Sequence, residues 1–162
     1  MKKNIFPLMM ACMLFPAELL AQDRDSVVQL PAVTVTAIAR VNRDVSDAFK
    51  KAFPDAKKLR WYAFNRDYIA KFISDDMSHS ALFKKNGYLK YDISYGSERN
   101  LPEEIRNRVQ STYQDFKIDR VANVKESGRN IWVINLESLR NYVMVRVEEE
   151  EMEEVKRVNK SE

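Results

Sequence analysis

The sequence predicts an α+β protein made of two tandem units, each a helix followed by a four-stranded antiparallel sheet. Three observations carry this expectation. Apolar residues recur at helical spacing twice, over residues 45–53 and again over 105–116. Behind each stretch come four short segments in which apolar and polar side chains alternate. The halves also match at an offset of about 63 residues, Phe53 answering Phe116, Tyr68 answering Trp132 and Phe72 answering Leu136.

Composition agrees with a packed domain. Of 162 residues, 45% are apolar and 31% charged, the balance of a globular chain rather than a disordered or membrane-spanning one. Three glycines and five prolines leave most tight turns to Asn, Asp and Ser and leave little material for a phosphate-cradling loop. Each unit alone buries too little area to be stable, so the two are expected to share a core or pack side by side.

In chain order, residues 1–21 read as a cleavable signal peptide. Lys2 and Lys3 form the basic start, Ile5 to Leu20 the apolar stretch, and Ala21 the small residue before a cut at Gln22. Pro7, Pro16 and Glu18 break the stretch too often for a stable membrane span. The protein is therefore expected outside the cytoplasm, in the periplasm first, with secretion or a lipid anchor on Cys12 as alternatives. Cleavage removes the single cysteine, so no disulfide can staple the mature domain. It also lowers the formal charge from +3 to nearly neutral.

Residues 22–43 read as a linker or extended segment, with a Thr and Val alternation near Val33 to Thr36 suited to an added edge strand. The repeats follow, over residues 44–97 and 100–158, with 159–162 as a tail. Asp44 is expected to cap a helix carrying Val45, Ala48, Phe49, Ala52 and Phe53 on one side, and Pro54 ends it. Leu59, Trp61 and Ala63 then alternate along a first strand, and Tyr68, Ala70 and Phe72 along a second. His79 to Phe83 form a third, the Asn86-Gly87 pair marks a hairpin, and Leu89, Tyr91, Ile93 and Tyr95 share one face of a fourth. Pro102, Glu103 and Glu104 open a second helix with Ile105, Val109, Tyr113 and Phe116 as its apolar stripe. Four further strands are expected near Asp119 to Lys125, Ile131 to Glu137, Tyr142 to Glu148 and Met152 to Val158.

The string from Val45 to Ala56, followed by Trp61 and then Tyr68-x-Ala70-x-Phe72, resembles the PepSY-like, β-lactamase-inhibitor-protein-like (BLIP-like) domains exported by Bacteroidetes. The Asn86-Gly87 turn and the Leu101-Pro102 helix start share the likeness, which covers about residues 44–158. It implies a repeated helix-on-sheet fold and a set of proteins that bind other proteins, some as inhibitors. The run Glu148 to Glu151 departs from it, standing where an Asp or Gly turn is expected.

No catalytic constellation is available to the mature chain. One histidine, His79, and no cysteine exclude triads, thiol chemistry and the usual zinc sites, so no enzyme activity and no cofactor are expected. His79 reads as an ordinary histidine within a strand. Asp75-Asp76 lacks the spacing of a calcium loop, and the acidic cluster from Glu148 to Glu154 reads as a solvated edge that discourages aggregation. The leading expectation is a monomeric, non-enzymatic module that binds an envelope protein or peptide, inhibitor-like, through a sheet face. The residues expected there are Tyr62, Phe64, Lys71, Tyr88 and Lys90, on the parity opposite to Leu59, Ala70 and Leu89, because amphipathic aromatics and cations concentrate at interfaces. The alternative is small-ligand or cation capture at the acidic hairpin. Near-neutral charge and export argue against a nucleic-acid partner, and no transmembrane segment is expected once the signal is removed.

Overall fold

The computed structural model describes residues 36–161. The expected signal peptide, its cleavage point at Ala21 and Gln22, and Cys12 lie outside the described residues.

The order of elements is β1 (Thr36–Ile38), α1 (Arg43–Ala52), β2 (Lys57–Phe64), β3 (Asp67–Ser74), β4 (Met77–Phe83), β5 (Leu89–Gly96), α2 (Glu103–Thr112), β6 (Lys117–Glu126), β7 (Arg129–Glu137), β8 (Asn141–Glu148) and β9 (Glu151–Asn159). A single 3₁₀ turn, Glu98–Asn100, precedes α2. Strands β2 to β9 are long and β1 is a three-residue addition at the edge. All nine form one antiparallel sheet in simple chain order. The strands expected of two separate units thus run on as one surface, joined where Tyr91–Gly96 of β5 pair with residues 121–126 of β6.

Turn chemistry explains the meander. Asp75 and Asp76, and likewise Ser127 and Gly128, take left-handed φ as adjacent pairs, the conformation a two-residue hairpin needs to match strand twist. In the β4–β5 connection Gly87 sits at φ 81°, and a Cβ there would come within 2.8 Å of the Asp44 carbonyl oxygen at the start of α1. Asn42 fixes the same junction. Its side-chain oxygen accepts from the Val45 N–H at 3.0 Å and its amide nitrogen donates to the Lys85 carbonyl at 2.7 Å. The helix cap is therefore Asn42, not Asp44, which lies in the first turn.

Both helices pack on the same side of the sheet. Under α1, Val45, Phe49, Ala70, Phe72, Ala81 and Phe83 form one buried cluster. Phe49 meets Trp61, Phe72 and Phe83 edge-on with ring centroids 5.0–6.1 Å apart, each such pair adding about 0.5–1.5 kcal/mol to area burial. Under α2, Val109 packs with Val121, Trp132, Ile134, Leu136, Val143, Val145 and Val147. At the helix ends the expected match of Phe53 with Phe116 shifts, since Phe53 is the C-cap of α1 as Tyr113 is of α2. Leu59, expected in the core, is 39% exposed, because the extra residue Lys58, at φ 56°, bulges β2 beside it.

The largest departure is in β5. The register slips between Leu82 and Phe83, leaving Lys90 as an extra residue in the ladder. Leu89 pairs with Phe83 and joins the core, but Tyr91 pairs with Leu82, so Tyr91, Ile93 and Tyr95 face away from the helices. Asp92 and Ser94 face inward instead. With His79 and Asn123 they form a buried polar strip on the middle strands, between the two apolar clusters.

His79 is consequently more than an ordinary strand residue. Its Nδ1 lies 3.0 and 3.1 Å from the two Asp92 oxygens, its ring stacks on Phe72 at 4.7 Å, and its Nε2 is buried without a hydrogen-bond partner among the described residues. Facing a carboxylate, Nδ1 carries the proton and donates it.

Three comparisons by chemical denaturation test this packing. Gly128→Ala, with open space around it, should cost about 1 kcal/mol for left-handed backbone alone. Gly87→Ala adds the clash with α1 and should cost clearly more; equal losses would refute the close approach. Asp92→Ala should cost about 2–4 kcal/mol because the imidazole loses its acceptor. The double replacement His79→Leu, Asp92→Leu should cost less than the sum of its single changes, and simple additivity would mean the pair is uncoupled.

Candidate functional site: the open face of the sheet

With both helices on one side, the opposite face of the sheet carries no helix among the described residues. Cross-strand register assembles it row by row. One row reads Tyr62, Ile69, Leu82, Tyr91, Glu126, Arg129. The next reads Arg60, Lys71, Ser80, Ile93, Val124, Ile131, Glu148. A third holds Tyr95, Ala122, Val133 and Arg146. The centre of the face is therefore apolar and aromatic, with charge at its sides.

Three of the five residues expected at the site come together here. Tyr62, Phe64 and Lys71 lie on the open face of β2 and β3, with the Lys71 ammonium 5.4 Å from the centre of the Tyr62 ring. Lys90 reaches this group from the β5 bulge, its Nζ 3.9 Å from the Asp67 carboxylate opposite Phe64. Tyr88 does not belong to it. It sits in the turn before β5, 52% exposed, with the Lys84 ammonium 5.1 Å from its ring. It precedes Leu89, the first residue of β5, so no strand ladder commits its side chain to the open face.

Sequence reasoning missed the middle of the face. Ile69, Leu82, Tyr91, Ile93 and Tyr95 were expected in the core or left unassigned. Leu82 is only 3% exposed although no described helix covers it; Tyr91 and Ile69 stand directly beside it on the neighbouring strands. Burial raises the Tyr91 phenol above its ordinary value, and the facing Glu126 carboxylate and Tyr95 push it the same way, so it stays a neutral donor at physiological pH. The available sequence signal was Asp92 and Ser94. Two polar residues alternating with three apolar ones announce one face of each kind, but not which is which.

Charge is arranged unequally across this face. On the β7–β9 side Arg129 grips Glu148 with two bonds of 2.6 and 2.7 Å and Arg146 holds Glu148 and Glu153, while Arg157 holds Glu154 on the helix side of β9. Half of the acidic cluster, Glu148, Glu153 and Glu154, is thus paired, with Glu149, Glu150 and Glu151 left at the turn. Among the described residues no group of three or more His, Cys, Asp or Glu side chains is placed to hold a metal ion. No described helix is long and apolar enough to cross a membrane.

The Arg129 hydrogen bond, with the charges of Arg129 and Arg146, holds the Glu148 carboxyl down at about 2, from an ordinary 4.5. A depressed carboxyl stabilises the fold above its unfolded value and loses that contribution as pH falls toward its folded value. The melting-temperature gap between the native chain and Glu148→Gln should hold steady above about pH 5 and close between about pH 4.5 and 2. A gap unchanged down to pH 2 would mean the arginines do not set the carboxyl.

No family model matches the chain, and no curated protein matches it. Solved structures do. A BLIP-like protein from Bacteroides fragilis superposes with a TM-score of 0.58 at 19% identity, over 75% of this chain and 87% of that one. A DUF2874 family protein from Bacteroides ovatus gives 0.56 at 20% identity over 75% and 89%, and a candidate periplasmic protein from Bacteroides eggerthii 0.55 at 16% over 75% and 90%. Likeness at this identity speaks for architecture, and the chain has the BLIP-like fold: helices on one face of a continuous antiparallel sheet, the other face open.

Proposed function

We propose that the chain is an exported, non-enzymatic module that binds a protein or peptide through the open sheet face. The observation that carries this reading is the apolar and aromatic centre of that face, from Ile69 and Leu82 through Tyr91 and Ile93 to Val124, Ile131 and Val133, with Tyr62 and Lys71 at its margin. A contiguous apolar patch rimmed by polar groups is the usual form of an interaction surface. Export rests on the signal-peptide pattern of residues 1–21, with a cut between Ala21 and Gln22 and the periplasm as destination. A structural relative described as a candidate periplasmic protein supports that address. The BLIP-like relative supports a protein as ligand.

We also read the domain as two related units, residues 44–97 and 100–158. Each has a bulge in its first strand, at Lys58 and Asp119, and another in its last, at Lys90 and Val155. Bulges tend to be kept within families, so the recurrence favours duplication.

The test is capture from envelope extract on the mature chain, compared with two variant sets. Tyr91→Lys with Ile93→Asp places charge in the centre of the open face; Glu149→Gln with Glu150→Gln alters only the acidic turn. Binding should be lost with the first set and kept with the second. Capture of the same proteins by both sets, or of none by the native chain, would overturn the reading.

A further inference from the structure

The open face ends, on the side of β6 to β9, in a groove of about 370 Å³. Two of the bulges bound it. The extra residue Asp119 interrupts β6 on one side and the extra residue Val155 interrupts β9 on the other, and a bulge sharpens local twist where it occurs. Between them one cross-strand row reads Arg120, Asn135, Met144, Lys156, and the next adds Tyr142 and Val158. Tyr142 and Val158 stay 49% and 44% exposed, so much of the apolar wall is open even though the Lys160 ammonium stands 4.6 Å from the centre of the Tyr142 ring.

The charge pattern singles out one side chain. On β8, β9 and the residue that follows, Arg146 holds Glu148 and Glu153, Arg157 holds Glu154, and Lys160 holds Glu137 at 2.5 Å. Arg120, across the groove, has Asp119 at 3.5 Å. Lys156 has no carboxylate within 4 Å among the described residues, and it stands beside Met144 in the groove. A cation without its counter-charge next to an exposed apolar wall, with one amide at the floor, is complementary to a carboxylate on an apolar body. The volume lies within the range of small-ligand sites.

We propose that this groove binds an apolar carboxylate, its acid group on Lys156, its body against Tyr142, Met144 and Val158, and the Asn135 amide free to donate to the second oxygen. The same chemistry is offered by a free aryl or alkyl acid and by the C-terminus of a peptide ending in an apolar residue. This site is separate from the sheet-centre reading, since neither Tyr91 nor Ile93 contributes to it.

The experiment is a backbone amide NMR titration of the mature chain with 3-phenylpropionate and with its uncharged amide, and in parallel with Ala-Ala-Phe as free acid and as C-terminal amide. Saturable shifts confined to Asn135, Met144, Lys156 and Val158 are expected for the acids. Affinity should fall about threefold to fivefold for the neutral probes, and by the same factor for the acids with Lys156→Met, the scale of one exposed ion pair. Val158→Glu should abolish binding by placing an acid in the groove. Tighter binding of 3-phenylpropionate points to a free metabolite, and of the tripeptide to a partner's C-terminus. Absence of saturable shifts, or equal affinity for acid and amide, overturns the proposal. Failure here leaves the outcome of the Tyr91 and Ile93 variants untouched, and the reverse also holds.

Discussion

The fold depends on the strict two-residue period of a β-strand and on the places where it is interrupted. In a ladder each side chain is committed to one face by its parity, and one extra residue moves everything beyond it to the other face. Lys90 does this in β5. Had β5 continued in the phase of Leu89, Tyr91, Ile93 and Tyr95 would lie against the helices and the open face would lose its aromatic centre. The bulge instead sends three large side chains outward and leaves Asp92 and Ser94 to face the interior.

That exchange has a cost which the neighbouring strand offsets. Asp92 is buried beneath the helices, and a lone buried carboxylate is unfavourable by several kcal/mol. His79 accompanies it from β4, diagonally and two residues from the Ala81 that faces Asp92, and Asn123 and Ser94 extend a polar strip between the two apolar clusters. The strip divides the interior into one cluster under α1 and one under α2 while the backbone sheet runs through unbroken. Two half-size cores thereby share a continuous hydrogen-bonded floor, and neither small cluster has to hold a sheet of its own.

Much of this arrangement was legible in the residues. Helix faces, the Asp75-Asp76 and Ser127-Gly128 turns, the meander and the strand positions follow from local patterns that local physics enforces. Phe49, Phe72, Phe83 and Ile134 lie where alternation and helical period put them. What was not legible is register across a bulge. Lys58, Lys90, Asp119 and Val155 carry no glycine or proline to advertise an interruption, and their effect arises only when two strands distant along the chain are laid side by side. Tyr62, Phe64 and Lys71 precede the Lys90 interruption and fell on the expected face. Tyr88 sits in the turn beside it and did not join them. Asn42 was missed for a different reason: Asp44 offers the same capping chemistry two residues later, and only the tie from Asn42 to Lys85 in the β4–β5 turn decides between them.

The distribution of charge completes the contrast between the two ends of the open face. Around β7–β9 the arginines are tied to glutamates within the molecule, and side chains engaged in such pairs hold a set geometry and offer little net field to a partner. Around β2–β3, Arg60 and Lys71 share a row with no carboxylate opposite either of them, and Asp67, two rows along on the same face, is engaged by Lys90. An internally neutralised surface limits unspecific attraction, whereas unopposed cations beside aromatic rings favour contacts that are both oriented and desolvated. The apolar centre supplies area for association, but area alone does not select a partner. On the proposed binding role, selection on this face falls to its margins, with Arg60, Lys71 and Tyr62 at one end and, at the other, Lys156, which has no carboxylate within 4 Å among the described residues.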